Sequence, residues 1–180
     1  PMRPHLSRTV GLAALSLADA CLRLGLSPKI KWPNDILLDG KKTAGILVET
    51  VWSGDEADSL VIGMGINVGT ESVPPSESLK FPATSLEGML GSSLKREEVI
   101  SLVLSAVIKW REQIGSDGFI KAWEDQLAFR GEAVQIQSGA ESSIHGVVDG
   151  LESDGSLRLR DEHDKSVVVR FGDVSLRPAA

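Results

Sequence analysis

The sequence is poor in the residue types that build metal centres and disulfide bonds. Its 180 residues include one cysteine, Cys21, and three histidines, His5, His145 and His163, which lie far apart along the chain. A single cysteine cannot form an internal disulfide, and scattered histidines lack the spacing typical of metal ligands. We therefore expect no metal centre built from a side-chain cluster, and we expect a protein of a reducing compartment.

Long hydrophobic runs are also absent. Charges or glycines interrupt every apolar run before the roughly 18 residues that a membrane span needs, and no basic-then-apolar leader is present. The chain is 42% hydrophobic and 24% charged, with a formal net charge of −6, so it is neither a disordered tail nor a basic nucleic-acid surface. We expect a cytoplasmic globular protein with one domain and a small appendage.

Apolar periodicity predicts the elements of the first part of the chain. Helical spacing indicates helices, and short apolar runs between turn residues indicate strands. Asp39-Gly40 is typical of a two-residue hairpin turn, and residues 69–91 are expected to form a long loop. The pattern predicts an α+β fold, a mixed sheet with helices on one face. The predicted helices are 7–24, 94–114 and 119–128, and the predicted strands are 30–32, 36–38, 44–51 and 60–66.

From Gly131 onward the hydrophobic period becomes two. Five short strands within about 50 residues, separated by glycine, aspartate and serine turns, are typical of a small SH3-like β-barrel. We expect a first domain over residues 1–128 and the barrel over residues 129–180. The predicted strands are 133–137, 143–149, 157–160, 166–171 and 174–176.

A locally basic segment between residues 29 and 42 is the first candidate for chemistry. Pro33 stops strand pairing, Asn34-Asp35 forms a turn, and Lys42 begins the next strand just past the hairpin turn. A strand lysine beside such a turn can receive a carboxylate or phosphate oxygen. Taken alone, these residues favour the simpler interpretation of a solvated hairpin lysine.

Two glycines inside an apolar strand, Gly63 and Gly65, form the second candidate. Glycine weakens a strand, so this pair indicates either a ligand lying against the backbone or a bulge. It is not a dinucleotide fingerprint, because Val68 stands where the third glycine is required, and no phosphate-binding P-loop is present.

Taken together and in order, these motifs resemble the biotin protein ligases, also called biotin–[acetyl-CoA carboxylase] ligases. The resemblance covers essentially the whole chain and implies a class II synthetase-like ligase fold followed by the small barrel. It rests on Lys31-Trp32-Pro33-Asn34-Asp35, on Lys42, on Ala44-Gly45-Ile46-Leu47-Val48-Glu49, on Gly63-Met64-Gly65-Ile66-Asn67, on Trp123-Glu124 and on Val174-Ser175-Leu176-Arg177.

The resemblance implies a two-step reaction. Biotin and MgATP form biotinyl-5′-adenylate, and a lysine of a biotin carboxyl carrier domain, such as that of acetyl-CoA carboxylase, then attacks the mixed anhydride. The implied catalytic residues are Lys42 and Asp35. The implied biotin-binding residues are Lys42, Gly45, Gly63 and Gly65, and the implied ATP-binding residues are Lys31, Asn34 and Asn67. Trp32 and Trp52 are expected to be core or rim aromatics.

One feature of that family is missing from these residues. Its members carry a Gly-Arg-rich loop that binds biotin and phosphate, whereas the only Arg-Gly pair here is Arg130-Gly131. The resemblance therefore implies that the N-terminal part of the catalytic domain is absent, and we expect the 180 residues alone to bind biotin poorly. DNA binding would require a helix-turn-helix upstream, and a homodimer through sheet edges is left open.

Two alternatives stay open, one an enzyme from the same superfamily of folds and the other a non-enzymatic binding module. A lipoate-type ligase or transferase would also use a lysine near a carboxylate. A non-catalytic module would bind a carrier protein through the C-terminal barrel without any turnover of ATP. Incorporation of labelled biotin rather than labelled lipoate, and ATP turnover, distinguish these alternatives from the biotin ligase.

Overall fold

The computed structural model describes residues 3–75, 77, 79, 81–138, 142–170 and 174–178. Four α-helices and nine strands lie in this part of the chain, with 3-10 helices at Arg3–Arg8 and Thr70–Ser72. The helices are α1 (Thr9–Arg23), α2 (Leu86–Leu90), α3 (Arg96–Gln113) and α4 (Asp117–Asp125). The strands are β1 (Pro28–Lys31), β2 (Asp35–Leu38), β3 (Lys41–Ser53), β4 (Glu56–Ile66), β5 (Ala133–Ser138), β6 (Ser142–Leu151), β7 (Leu157–Arg160), β8 (Ser166–Val169) and β9 (Val174–Pro178).

The first sheet has the strand order β1-β2-β3-β4, and each neighbouring pair is antiparallel. Asp39 and Gly40 form the β2–β3 turn with φ values of 49° and 70°, the positive φ at both central residues that a type I′ hairpin requires. The sheet is antiparallel rather than mixed, because consecutive strands joined by short turns need no crossover. Parallel pairing occurs in the isolated bridges of Ile30 with Leu127 and of Lys42 with Ala83.

Helix α1 covers the face of this sheet that carries Ile36, Ala44 and Ile46, and α3 packs on α1. Alanine and leucine dominate α1, so almost the whole helix is buried, including Cys21. That burial raises the pKa of the Cys21 thiol to about 12, and Cys21 is a packing residue of the core. None of the helices that the structure describes is long and apolar enough to cross a membrane.

The segment predicted as a loop, residues 69–91, contains the helix α2 (Leu86–Leu90). Ser85 caps this helix by accepting a hydrogen bond from the backbone N–H of Gly88 at 3.1 Å, and Gly91 ends it in the left-handed conformation with φ of 69°. Five helical residues are too few for a periodic pattern, although both caps stand in the sequence.

The second sheet has the order β8-β7-β6-β5-β9, and all of its pairs are antiparallel. The five predicted strands are present, except that Phe171 lies outside the described residues. Strands β8 and β9 stand at opposite ends of this order, so a closed SH3-like barrel is not shown among the residues described. The architecture as a whole is an α+β fold with two antiparallel sheets.

Candidate active site

Asp35 lies between two lysines at the end of the β1–β2 connection. Its Oδ1 is 2.5 Å from Nζ of Lys42, and its Oδ2 is 3.6 Å from Nζ of Lys31. The Asp35 and Lys31 side chains are 13% and 10% exposed, whereas that of Lys42 is 40% exposed. The cluster carries one net positive charge and presents it to solvent through Lys42, which suits the binding of an anion.

A β-bulge places Lys42 beside Asp35. Asp35 pairs with Gly45 and Ile36 pairs with Ala44, but Leu37 pairs with Lys42, so Thr43 has no partner residue across the strand pair. The extra residue reverses the alternation, because Lys42 would otherwise share the core-facing side of Ala44. The bulge thus turns the ammonium group onto the same face as Asp35.

The segment before α2 holds this part of β3 in place. The backbone N–H of Lys42 donates to the carbonyl of Pro82 at 2.7 Å, and the N–H of Thr84 donates to the carbonyl of Lys42 at 2.9 Å. From the same segment, the ring of Phe81 lies with its centroid 4.5 Å from Nζ of Lys31. Phe81 is a site residue that the sequence analysis missed, and a lone phenylalanine in a loop gave no local signal.

Gly45 leaves room for the ion pair. A Cβ atom at this position would lie 3.2 Å from Nζ of Lys42 and 3.5 Å from Oδ1 of Asp35. A larger residue would therefore displace the Lys42 ammonium by a few tenths of an ångström, whereas glycine leaves the ion pair undisturbed.

The solvent-facing side of β3 and β4 forms an open, partly apolar surface next to this ion pair. Gly45 pairs with Gly65, and Gly63 pairs with Leu47, so three glycines lie side by side on two strands. Around them, Leu47 and Val61 are 61% and 53% exposed. A flat apolar group could lie against the backbone of this surface with its polar end at Lys42.

The two predicted asparagines brace the site through backbone contacts. The Asn34 amide donates to the carbonyl of Ile46 at 2.8 Å, and the Asn67 amide donates to the carbonyl of Thr84 at 3.0 Å. Each asparagine therefore holds a segment that carries other site residues. Each side chain keeps its amide oxygen and a second N–H with which to meet a ligand.

Trp32 joins the site to the second sheet. It is 1% exposed, and its indole N–H donates to the carbonyl of Gly155 in the β6–β7 turn at 3.1 Å. Arg8 binds the same turn, because its Nε donates to the carbonyl of Ser153 at 2.7 Å. Trp52, in contrast, is 59% exposed near the C-terminal end of β3. Trp32 is thus a core aromatic, and Trp52 is an exposed one.

Comparison with known proteins relates this chain to one protein family. Residues 22–67 match the model of the biotin/lipoate A/B protein ligase family. The chain is 35% identical over 165 residues to the biotin–[acetyl-CoA-carboxylase] ligase of Paracoccus denitrificans, covering 87% of this chain and 68% of that protein. It is 31% identical over 179 residues to the bifunctional ligase/repressor BirA of Escherichia coli strain K12, covering 97% of this chain and 53% of that protein.

A solved structure shares the fold of this chain. The biotin protein ligase of Aquifex aeolicus in complex with biotin and ATP superposes with a TM-score of 0.81 at 28% identity, covering 97% of this chain and 73% of that chain. The chain thus spans about two thirds of the Paracoccus relative and about half of the Escherichia relative.

Proposed function

Because the chain belongs to the biotin protein ligase branch of the biotin/lipoate A/B protein ligase family, we propose that it carries the catalytic residues that join biotin to AMP. The product, biotinyl-5′-adenylate, is a mixed anhydride that a lysine amine can attack. The biotin and ATP bound to the Aquifex ligase support this choice of substrates.

One observation carries this proposal, namely the half-exposed Lys42 ammonium held 2.5 Å from Asp35 beside a surface lined by glycines. Attack of the biotin carboxylate on the α-phosphate brings two anions together, and negative charge grows on the phosphate oxygens in the transition state. A fixed cation offsets that repulsion. Lys42 can reach the reacting oxygens because its side chain is 40% exposed to solvent.

Asp35 sets the starting position of the Lys42 ammonium. A salt bridge to a largely buried carboxylate limits the conformations of the long lysine side chain, so less entropy is lost when it binds the reacting groups. Both carboxylate oxygens of Asp35 face lysine ammoniums, so it does not fit as a magnesium ligand in this arrangement. Magnesium enters as part of the substrate, MgATP, with phosphate oxygens among its ligands.

The remaining assignments follow from position. Gly45, Gly63 and Gly65 form the floor for the biotin rings, and the carboxyl end of biotin lies toward Lys42. Asn34 and Asn67 offer side-chain oxygens to the nucleotide, and Lys31 adds positive charge to its surroundings. We assign residues 1–128 to the catalytic domain and residues 129–180 to a separate C-terminal domain.

The second step would transfer biotin to a lysine of a carrier protein. The name of the Paracoccus relative includes acetyl-CoA carboxylase, which supports a biotin carboxyl carrier domain as the acceptor. The Escherichia relative is also named a repressor. For this protein, DNA binding is a hypothesis that would require a longer gene product. A homodimer through sheet edges is likewise proposed.

The test is pyrophosphate release that depends on both biotin and ATP, measured on the full-length gene product. We expect K42A to reduce the rate at least about 100-fold while the far-UV circular dichroism is unchanged, because the main cation at the reacting oxygens is lost. The matched control is K41A, which removes the exposed neighbouring lysine and keeps the rate. A K42A enzyme with near wild-type turnover would remove Lys42 from the mechanism, and turnover with lipoate in place of biotin would favour the lipoate-type alternative.

A further inference from the structure

Lys31 differs from the other lysines of its segment in being buried. The residue is 8% exposed, whereas Lys29 on the same strand and Lys41 after the hairpin turn are exposed. Removing an ammonium from water is costly unless nearby groups compensate. Two such groups are present, since Asp35 lies 3.6 Å from Nζ and the Phe81 ring centroid lies 4.5 Å from it.

Asp35 is therefore shared by two cations with different freedom to move. The Lys42 side chain is 40% exposed and can turn toward a ligand, whereas the Lys31 side chain is 10% exposed and lies against the Phe81 ring. If Lys42 alone neutralised Asp35, its departure would leave an unpaired carboxylate in a largely buried place, which is strongly unfavourable. Lys31 lowers this energetic cost, because its ammonium remains beside the Asp35 carboxylate when Lys42 moves away.

We propose that Lys31 is a positioning residue, the fixed counter-ion of Asp35, which allows Lys42 to leave the carboxylate for the reacting oxygens. Lys31 acts through Asp35. The Phe81 ring, from the segment before α2, helps to keep the Lys31 ammonium beside that carboxylate. This inference rests on the proposed function and refines the nucleotide-binding role expected of Lys31, because the effect of Lys31 does not require contact with ATP.

The first test needs neither biotin nor ATP, so it gives an answer even if the proposed function fails. The protein is treated with a trace of an amine-acetylating reagent, and acetylation of each lysine is followed by mass spectrometry with Lys41 as internal reference. We expect K31M to slow acetylation of Lys42 at least about threefold, because an unshared carboxylate holds the Lys42 ammonium more strongly. K31R keeps the charge and stays within about twofold of wild type, and the matched control K29M has no effect.

The path through Asp35 is tested by repeating the comparison in a D35N background, where adding K31M should no longer change the acetylation of Lys42. If K31M does not fold, K31Q, which keeps a hydrogen-bond donor without the charge, carries the same expectation. Lys42 acetylated at the wild-type rate in folded K31M or K31Q, or slowed equally with and without Asp35, overturns the proposal.

A second test separates positioning from substrate binding in the full-length enzyme. We expect K31M to lower kcat for pyrophosphate release about tenfold or more and to change KM for ATP less than about twofold, because the interaction acts when Lys42 moves to the transition state. A raised KM for ATP with unchanged kcat would show instead that Lys31 binds the nucleotide, and would overturn the proposal.

Discussion

The Trp123 ring has so little free space on two sides that a single methyl group should destabilise the protein. Trp123 on α4 is fully buried, and it lies between Gly11 of α1 and Gly155 of the β6–β7 turn. A Cβ atom at Gly11 would lie 2.8 Å from Cδ2 of the ring and closer still to Cε3, and one at Gly155 would lie 2.6 Å from Cζ3. Carbon atoms in contact prefer about 3.5–4.0 Å.

We therefore expect G11A to lower the free energy of unfolding by about 2 kcal/mol. The ring would have to move by about 1 Å in a packed interior, and such overpacking costs about 1–3 kcal/mol or more. The higher helix propensity of alanine returns about 1 kcal/mol at most. The cost of overpacking therefore exceeds the gain in helix propensity.

Urea unfolding followed by far-UV circular dichroism measures this difference. The matched control is G118A in α4, where a Cβ atom would meet only the Ser116 hydroxyl oxygen at 3.6 Å. There the same substitution should stabilise the protein by about 0.4–1 kcal/mol. If G11A were as stable as the wild type, the Trp123 ring would have more free space than the short distances at Gly11 and Gly155 indicate. That result would refute the packing argument.

Two further predictions concern the contacts that tie the elements together. W32F keeps most of the ring of Trp32 but removes its N–H donor, so a buried carbonyl of the β6–β7 turn loses its partner, and urea unfolding should show a loss of about 1–3 kcal/mol; no loss would mean that this hydrogen bond is not formed in solution. The second prediction is a dependence of stability on pH that arises from Asp19 on α1. Burial raises the pKa of Asp19, but hydrogen bonds and charge from Lys109 and Arg23 outweigh this effect and hold the pKa below its usual value. A lowered pKa stabilises the fold above the usual carboxyl range, and the effect is lost as pH falls through it. D19N should therefore be less stable than wild type at pH 7, by less than about 1 kcal/mol because the partners are half exposed, and the difference should vanish near pH 2, whereas a difference independent of pH would contradict the assignment.

The features predicted from the sequence are those that depend on neighbouring residues. The hairpin turn at Asp39-Gly40, the helix α1 and the short strands of both sheets follow from local turn chemistry and periodicity. The resemblance to a family brought Lys42 and Asp35 together, although the residues alone favoured a solvated lysine. The distance of 2.5 Å between their side chains agrees with a shared task for the two residues.

The features that the sequence could not predict depend on contacts between distant segments. Phe81 reaches Lys31 across 50 positions of the chain, and Trp32 reaches the β6–β7 turn across 123. Neither a phenylalanine in a loop nor a tryptophan just after a strand specifies its partner. The antiparallel order of the first sheet and the order β8-β7-β6-β5-β9 of the second likewise follow from pairings that periodicity does not encode.

The bulge at Thr43 determines which face of the sheet Lys42 occupies, and local alternation does not predict it. Strict alternation along β3 would place Lys42 on the side of Ala44 and Ile46, both of which pack in the core. The unpaired residue shifts the register, and it has a cost, because the Thr43 hydroxyl is buried with no hydrogen-bond partner. Within this 13-residue strand, the bulge brings the ammonium group of Lys42 to Asp35 on the open face of the sheet.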